Sequence, residues 1–249
     1  AHVAQRAQRA RVQAGRGTSH QGAQGLRDRT QRGVAEQHRR IGDRAVGADG
    51  TLLAGEVMVE EKLDGANLGL SLASDGSLRT QNRGQYLTEP HTGQFTRLSA
   101  WLGQHSEALR AALNPNLIIF GEWCAARHSL DYAALSDWFL LFDIYDRAAA
   151  RFWSSSRRNK LASVAGLVTV PQLLHGKTTV AELKQLVITH PSHYREGGLE
   201  GVVIRRESFE WCEARAKLVR ADFSQTIDKH WRKRLIEWNR IDHSVVSSK

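Results

Sequence analysis

The chain has 249 residues, of which 41% are hydrophobic, so it is long enough for one large domain or two small ones with a substantial core. It contains no uncharged apolar run of about 18 residues and no secretory pattern. This argues against a membrane protein, and we expect a cytoplasmic one. The net charge of +9 favours a polyanionic partner, most simply nucleic acid. Two cysteines lie far apart in the sequence, Cys124 and Cys212, and we expect free thiols rather than a disulfide or metal ligands.

Residues 1–50 differ in composition from the rest of the chain. They hold ten arginines, four acidic residues and no lysine or aromatic residue, a net charge of +6 (10 − 4), which leaves +3 (9 − 6) for residues 51–249. Such a segment buries too little apolar surface to offset its ordering entropy, so we predict that it is disordered or loosely helical. Three explanations remain open: a solvated tail, a basic arm that contacts phosphates, and a stretch translated in the wrong reading frame.

From residue 51 the pattern is that of a folded domain, which we predict to extend to residue 223. Alternation between Val57 and Leu72, interrupted at Asp64-Gly65, predicts two strands that flank a tight turn. Further strands are predicted at 77–81, 117–123, 138–145, 168–170, 201–205 and 214–219, and helices at 94–113, 157–165 and 180–189. The elements interleave without regular alternation, which favours an α+β fold of antiparallel sheets flanked by helices.

Residues 224–249 are predicted to form a basic amphipathic helix, which begins at about residue 223. Its apolar face comprises Phe223, Ile227, Trp231, Leu235, Trp238 and Ile241. The other face carries Lys229, Arg232, Lys233, Arg234 and Arg240. This basic face is either the solvated side of a packed helix or a surface that follows an RNA backbone, in which case RNA affinity falls steeply with salt.

Lys62, in the run Glu60-Glu61-Lys62-Leu63-Asp64-Gly65, is the candidate nucleophile. A lysine attacks phosphorus only as the free amine, so its ordinary pKa of about 10.4 must fall through desolvation or nearby positive charge. Taken alone, the run also fits a surface lysine beside a turn. Later residues favour the catalytic interpretation, because two carboxylates at strand ends and a second lysine follow in order: Glu122, Glu200 and Lys217.

This ordered set suits nucleotidyl transfer. One carboxylate can hold a ribose hydroxyl, and another can bind a hard divalent cation, which prefers oxygen ligands. The cation and the second lysine would neutralise the charge that builds on the α-phosphate and the leaving pyrophosphate.

The series resembles the covalent nucleotidyltransferase superfamily, which contains ATP-dependent RNA ligases, DNA ligases and mRNA capping enzymes. The matching motifs cover about residues 56–223: Lys62-Leu63-Asp64-Gly65, Arg83-Gly84, Phe120-Gly121-Glu122, Leu141-Phe142-Asp143-Ile144-Tyr145-Asp146, Glu200-Gly201-Val202-Val203-Ile204 and Lys217. The resemblance implies an ATP-grasp-like nucleotidyltransferase domain. Ala66-Asn67 after the first motif is most similar to phage and bacterial RNA-repair ligases. The roughly 30 residues after the last motif are too few for the OB-fold of DNA ligases and capping enzymes.

The resemblance also implies the role of each residue. Lys62 would carry AMP as a phosphoramidate, and Lys217 would contact the α-phosphate. Asn67 and Glu122 would contact the ribose, Phe142 would stack on adenine, and Arg83 would contact the ribose or the 5′-phosphate of the strand being sealed. The nucleotide-binding set is Glu61, Asn67, Arg83, Glu122, Phe142, Glu200, Lys217 and Arg220, with Glu200 as the ligand of Mg²⁺ or Mn²⁺.

One position departs from the family pattern. Many members have two lysines separated by one residue in the last motif, whereas Val219 stands at the second place here and Arg220 follows it. Arg220 either substitutes for the missing charge or points elsewhere.

The resulting prediction is a monomeric ATP-dependent RNA ligase that joins 5′-phosphate and 3′-OH ends of nicked or broken RNA. A DNA ligase and a non-catalytic RNA-binding relic of the fold are the alternatives. A capping guanylyltransferase fits less well, because it would use GTP and needs the second domain.

Overall fold

The computed structural model describes residues 51–220, Phe223 and residues 235–246. The strands are β1 (Val57–Lys62), β2 (Ala66–Leu72), β3 (Leu78–Gln81), β4 (Tyr86–Leu87), β5 (Leu117–Trp123), β6 (Phe139–Asp146), β7 (Arg151–Phe152), β8 (Val168–Thr169), β9 (Gln172–Gly176), β10 (Gly201–Glu207) and β11 (Cys212–Val219). The helices are α1 (Leu98–Ala112), α2 (Ser155–Ala165), α3 (Val180–Thr189) and the short α4 (His243–Val246), and a 3₁₀ turn (Gly93–Phe95) precedes α1.

The strands form two sheets. One has the order β11-β10-β1-β9 and is antiparallel throughout. The other has the order β4-β3-β2-β5-β6-β7, is antiparallel along this path, and adds β8 parallel to β6. Because β1 lies in the first sheet and β2 in the second, the turn between Lys62 and Ala66 crosses from one sheet to the other. The α+β prediction is confirmed, and the described strands form open sheets rather than a barrel.

Each sheet has its own apolar core. The larger core packs the seven-stranded sheet on α1 and α2, with Leu68, Ile119 and Phe139 fully buried. The smaller core packs the four-stranded sheet on α3, where Val57 and Val59 of β1 meet Leu183 and Val187 of the helix. Side chains alternate between the two faces of a strand. Because Val57 and Val59 face this core, the even-numbered residues of β1, which include Lys62, lie on the opposite face of the sheet.

A buried ionic network covers that other face. Arg158 of α2 donates to a carboxylate oxygen of Glu60 at 2.5 Å and to the carbonyl oxygen of Phe142 at 2.7 Å. Arg205 of β10 donates to Asp143 of β6 at 2.7 Å, and Arg215 of β11 also pairs with Asp143. These side chains belong to both sheets and to α2, so buried ion pairs join the strand of the candidate nucleophile to β6.

Most predicted elements are confirmed, with boundaries that move by a few residues. Thr179 caps α3 and forms a reciprocal capping box with Glu182, which fixes the start of that helix. The short strands β4, β7 and β9 were not predicted. Among them, β9 follows Pro171 at the edge of its sheet, and its partly exposed side chains give only a weak alternation.

The predicted C-terminal helix is wrong over residues 235–242. This stretch is extended, with Trp238 bridged to Ala126 and Ile241 bridged to Leu135, while Leu235 is 95% exposed. Apolar residues three apart fit one face of a helix, but here they dock an extended segment onto a loop. Residues 224–234, the rest of that prediction, lie outside the described residues, as does the prediction for residues 1–50.

Within the described residues, no helix is long and apolar enough to cross a membrane. Both cysteines are free, as predicted, and Cys124 is buried whereas Cys212 is half-buried.

Candidate active site

Lys62 ends β1 with its ammonium group paired to the carboxylate of Glu200. The strands place the two residues together, because Lys62 lies opposite Gly201 in the β1–β10 register and Glu200 immediately precedes β10. The Glu200 side chain is 5% exposed and that of Lys62 is 26% exposed, so the pair is largely withdrawn from water. A charged amine and a carboxylate from two adjacent strands therefore meet at the junction of the two sheets.

The Asp64-Gly65 turn that follows is fixed by polar contacts. The Asp64 carboxylate accepts hydrogen bonds from the amides of Ser129 (2.7 Å) and Leu130 (2.8 Å). The Gly65 amide donates to Glu122 at 3.0 Å. A Cβ at Gly65 would lie 2.6 Å from the Trp123 carbonyl oxygen, so close backbone approach requires glycine there.

Glu122 and Asn67 stand side by side on β5 and β2. They are directly opposite each other in the antiparallel register, so their side chains share one face of the sheet. Burial raises the pKa of Glu122, and the positive charges of Lys62 and Arg83 partly counteract that rise. Arg83 itself is exposed, in the loop between β3 and β4.

Phe142 occupies an irregular position in β6. Phe120 pairs with Asp143 and Gly121 pairs with Leu141, so Phe142 is the extra residue of a β-bulge. Bulges redirect side chains and are frequent beside active sites. The half-buried Phe142 packs against the apolar cluster that contains Leu63, next to the candidate nucleophile.

Glu200 has one oxygen available for a further ligand. Burial raises its pKa to about 7, although Lys62 opposes the rise. Its Oε2 atom is buried and has no hydrogen-bond partner. No group of three or more metal-ligating side chains occurs within the described residues. A Mg²⁺ ion typically binds one or two carboxylates and takes its other ligands from phosphate and water, so a single carboxylate is compatible with such an ion.

The last motif lies on the strand beyond Glu200. In register, Lys62, Gly201 and Val219 form one row across three strands, and Glu60, Val203 and Lys217 form the next. Lys217 and Val219 therefore face the same side of the sheet as Lys62.

Gly201 separates Lys62 from Val219 without a side chain of its own. A Cβ there would lie 2.2 Å from the Leu218 carbonyl oxygen. The Arg220 amide donates to the Glu200 carbonyl at 3.0 Å, and the Arg220 guanidinium lies beside Gly198.

Glu61 points away from this group. It alternates with Lys62 along β1, and its carboxylate accepts hydrogen bonds from the Ser192 hydroxyl at 2.6 Å and the His193 amide at 3.0 Å. The structure thus brings together Lys62, Glu122, Glu200, Asn67 and the 217–219 strand, while the Glu61 side chain anchors the loop before β10.

Two residues behind the site, Tyr132 and Asn239, have no role predicted from the sequence. The Tyr132 hydroxyl accepts a hydrogen bond from the Asp64 amide at 2.8 Å, and the Tyr132 amide donates to the Asn239 side chain at 2.9 Å. These contacts join residues 68 and 107 positions apart. No local pattern at either residue signals them.

Comparison with known protein families matches residues 55–219 to the family described as RNA ligase. Comparison with curated proteins finds no match. Among solved structures, Naegleria gruberi RNA ligase with PPi is 22% identical, with a TM-score of 0.59, covering 77% of this chain and 57% of that one. A mutant of that ligase with ATP and Mn is 20% identical, with a TM-score of 0.56, covering 71% of this chain and 53% of that one.

At such identities the likeness to solved structures shows a shared fold. The chain spans little more than half the length of these ligase chains. The family match shows more than a shared fold, because it covers more than half of the 249 residues and runs from before Lys62 to Val219. The chain belongs to the RNA ligase family.

Proposed function

We propose that this domain acts as an ATP-dependent RNA ligase through a covalent AMP on Lys62. The observation that carries the proposal is the pairing of Lys62 with Glu200 beside Glu122 and Asn67, within the residues that match the RNA ligase family. The neutral Nζ attacks the α-phosphorus of ATP, and the bond from that phosphorus to the pyrophosphate oxygen breaks. A proton leaves the amine in this step.

Two further transfers complete sealing. A 5′-phosphate oxygen of RNA attacks the α-phosphorus, and the N–P bond breaks, so AMP moves to the RNA end and Lys62 regains its proton. A 3′-OH then attacks that 5′-phosphorus, losing its proton, and AMP leaves. In each step, negative charge is redistributed around one phosphorus atom. Positioning of the reacting groups and electrostatic stabilisation of that charge accelerate the step.

The remaining residues suggest where the nucleotide is held. Asn67 and Glu122 share a face and suit the ribose hydroxyls, and Phe142 at the bulge suits the adenine ring. Lys217 lies one row from Lys62 and suits the α-phosphate. Arg83 is exposed and suits the 5′-phosphate of the RNA, while Arg220 lies next to Glu200 and suits the nucleotide phosphates.

Glu200 is the proposed ligand of Mg²⁺ or Mn²⁺, because its buried Oε2 has no hydrogen-bond partner. A divalent cation would supply neutralisation of phosphate charge. The similar Naegleria gruberi structures contain ATP and Mn, which supports ATP and a divalent cation as the cofactors. We further propose a monomeric protein in a reducing compartment, the cytoplasm, where the two free cysteines would stay reduced.

The test uses ATP or GTP labelled on the α-phosphate, with Mg²⁺ or Mn²⁺. We expect the protein to take label from ATP but not from GTP. The AMP should then move to RNA carrying a 5′-phosphate, and that RNA should be sealed to a 3′-OH. Label from GTP would instead indicate a capping reaction. Transfer to 5′-phosphorylated DNA but not to RNA would indicate a DNA ligase and would overturn the proposed substrate.

A non-catalytic RNA-binding protein is the second candidate, favoured by Val219. This apolar residue shares the row of Lys62, where many family members carry a second lysine. Absence of label together with RNA binding would support this candidate. Val219→Lys then provides a comparison, since restored labelling would attribute the loss of activity to that one missing charge.

A further inference from the structure

The segment Glu237–Asp242, which we name the C-terminal strap, runs along the loop of residues 124–135. Backbone hydrogen bonds join the two over their whole length. Asn239 donates to the Ala125 carbonyl at 3.0 Å and Arg240 to the Tyr132 carbonyl at 2.9 Å, and Asp242 donates to the Leu135 carbonyl at 2.9 Å. The strap therefore holds the loop as an added strand would, although it is distant in sequence.

Asn239 is the buried centre of this contact. Its side-chain amide donates to the Cys124 carbonyl at 2.8 Å and the Ala126 carbonyl at 3.4 Å, and its oxygen accepts from the Tyr132 amide at 2.9 Å. Asn239 is 4% exposed, so losing it would leave these backbone groups without partners in a place that water does not readily reach.

The loop connects the strap to the nucleophile. Tyr132 is bound to the strap through its backbone and to the Asp64 amide through its hydroxyl, at 2.8 Å. The Ser129 and Leu130 amides hold the Asp64 carboxylate. Asp64 stands two residues after Lys62, so a continuous chain of contacts runs from Asn239 through Tyr132 to the turn that carries the lysine.

The strap is also fastened at its outer edge. The Arg97 guanidinium lies 5.0 Å from the ring centre of Trp138 and 4.5 Å from that of Trp238, close enough for cation–π attraction to both. Glu237 pairs with Arg127 at 2.6 Å, but both side chains are exposed, so this ion pair adds little.

We propose that the C-terminal strap positions Lys62, with Asn239 as the positioning residue. The proposal rests on lysine adenylylation as the proposed function. Asn239 touches neither the lysine nor the substrate sites. Its effect passes through Tyr132 and the Asp64-Gly65 turn, which set the direction of the lysine side chain.

The experiment measures single-turnover transfer of AMP from labelled ATP to the full-length protein. Misplacing a reacting group by about an ångström can cost up to about 100-fold in rate, so Asn239→Ala is expected to slow transfer at least tenfold. The ATP concentration for half-maximal rate should stay unchanged, because the strap does not contact the nucleotide-binding residues. Glu237→Gln, on the same strap, is the matched control and should label at the wild-type rate.

Tyr132→Phe tests the path itself, because it removes only the hydroxyl that accepts from Asp64. It should slow transfer as well, and the double variant with Asn239→Ala should be little slower than the slower single variant. Rate losses that multiply in the double variant would overturn the proposal. If Asn239→Ala does not fold, Trp238→Ala loosens the strap from its half-buried edge. Wild-type labelling by that variant would contradict the strap's role.

Hydrogen exchange supplies a readout that needs no catalysis. In Asn239→Ala the amides of Asp64, Ser129 and Leu130 should exchange at least tenfold faster than in the wild type, and in Glu237→Gln they should not. Unchanged exchange together with unchanged labelling would refute the positioning role. A wild-type protein that takes no label would count against adenylylation alone, and the exchange result would still decide whether the strap orders the turn.

Discussion

At the scale of single residues, burial controls the charge of the carboxylates around Lys62. Glu200 and Glu122 both have raised pKa values because burial disfavours their ionised forms, and Lys62 opposes the rise in each. Such paired effects are frequent in catalytic sites, where stability is given up for chemistry. The loss of folding stability caused by an ionised Glu200 should therefore be measurable.

Glu200→Gln is expected to stabilise the fold at high pH and to abolish AMP transfer. The folded-state pKa of Glu200 is raised to about 7, so the folded protein holds this proton more tightly than the unfolded chain. Stability linked to Glu200 is fully present below the unfolded pKa and is lost as pH rises to about 7. The variant should thus raise the melting temperature more at about pH 8 than at about pH 5.

Glu196→Gln, an exposed carboxylate in the same loop, is the matched control. An equal gain in melting temperature at both pH values for Glu200→Gln would contradict the role given to burial.

The geometry of the site also depends on the absence of a side chain at Gly201. Gly201→Ala would bring a Cβ to 2.2 Å from the Leu218 carbonyl oxygen, so we expect a loss of about 1–3 kcal/mol in the free energy of unfolding and slower AMP transfer. Gly103 lies within α1, and a Cβ added there would meet no atom within 4 Å. Gly103→Ala should therefore gain about 0.5–1 kcal/mol. Denaturant unfolding measures both, and equal effects would contradict the packing described.

At the scale of elements, the two sheets and α2 are joined by buried charge. Arg158 is 1% exposed and contacts both Glu60, two residues before Lys62, and the carbonyl of Phe142 in the β-bulge. One side chain thus contacts both the strand of the proposed nucleophile and the residue proposed to stack on adenine. Removing it takes away the close partner of the buried Glu60 carboxylate and leaves only Arg205, 4.0 Å away, as its ion-pair partner among the described residues.

Arg158→Met is expected to lower the free energy of unfolding by about 3–5 kcal/mol, because one partner of a buried ion pair is lost. Arg127→Ala removes a partner of the exposed pair with Glu237, and should cost no more than about 1 kcal/mol. Urea unfolding with both variants provides the comparison. A similar cost for the two would show that the buried network does not hold the elements together.

The sequence predicted those parts of the fold and site that local patterns specify. Alternation and turn residues identified β1, β2 and the Asp64-Gly65 turn, and a carboxylate at a strand end marked Glu122 and Glu200. The strap was misread because Trp238 and Ile241 are three residues apart, a spacing that a helix and a docked segment share. Burial of Arg158 and the contact of Asn239 with Tyr132 depend on residues distant in sequence, so no local sequence pattern predicts them.

At the scale of the whole molecule, charge is divided unequally along the chain. Residues 1–50 carry a formal +6 of the total +9, although the family match begins at residue 55. We therefore predict that the two regions have separable roles, with chemistry in the matched region. The boundaries at residues 50 and 223 stay predictions.

A protein that begins at Thr51 is expected to take AMP from ATP at the full-length rate. Thr51 and Leu52 are retained because the Thr51 carbonyl accepts a hydrogen bond from Arg206 at 2.5 Å and Leu52 is buried. If the first 50 residues contact phosphates, RNA affinity should fall and its salt dependence should become shallower. Unchanged RNA affinity and salt dependence would favour the solvated tail, and loss of AMP transfer would contradict separable roles.

Peptide mass spectrometry locates the AMP that we propose is bound covalently to Lys62. The full-length protein is incubated with ATP and Mn²⁺ and digested, and the modified residue is located. We expect AMP on Lys62 in the wild type and no covalent AMP in Lys62→Arg. Lys160 is an exposed lysine on α2, and Lys160→Arg should be modified as in the wild type. AMP on Lys217 or another residue, or covalent AMP that persists in Lys62→Arg, would contradict the proposal.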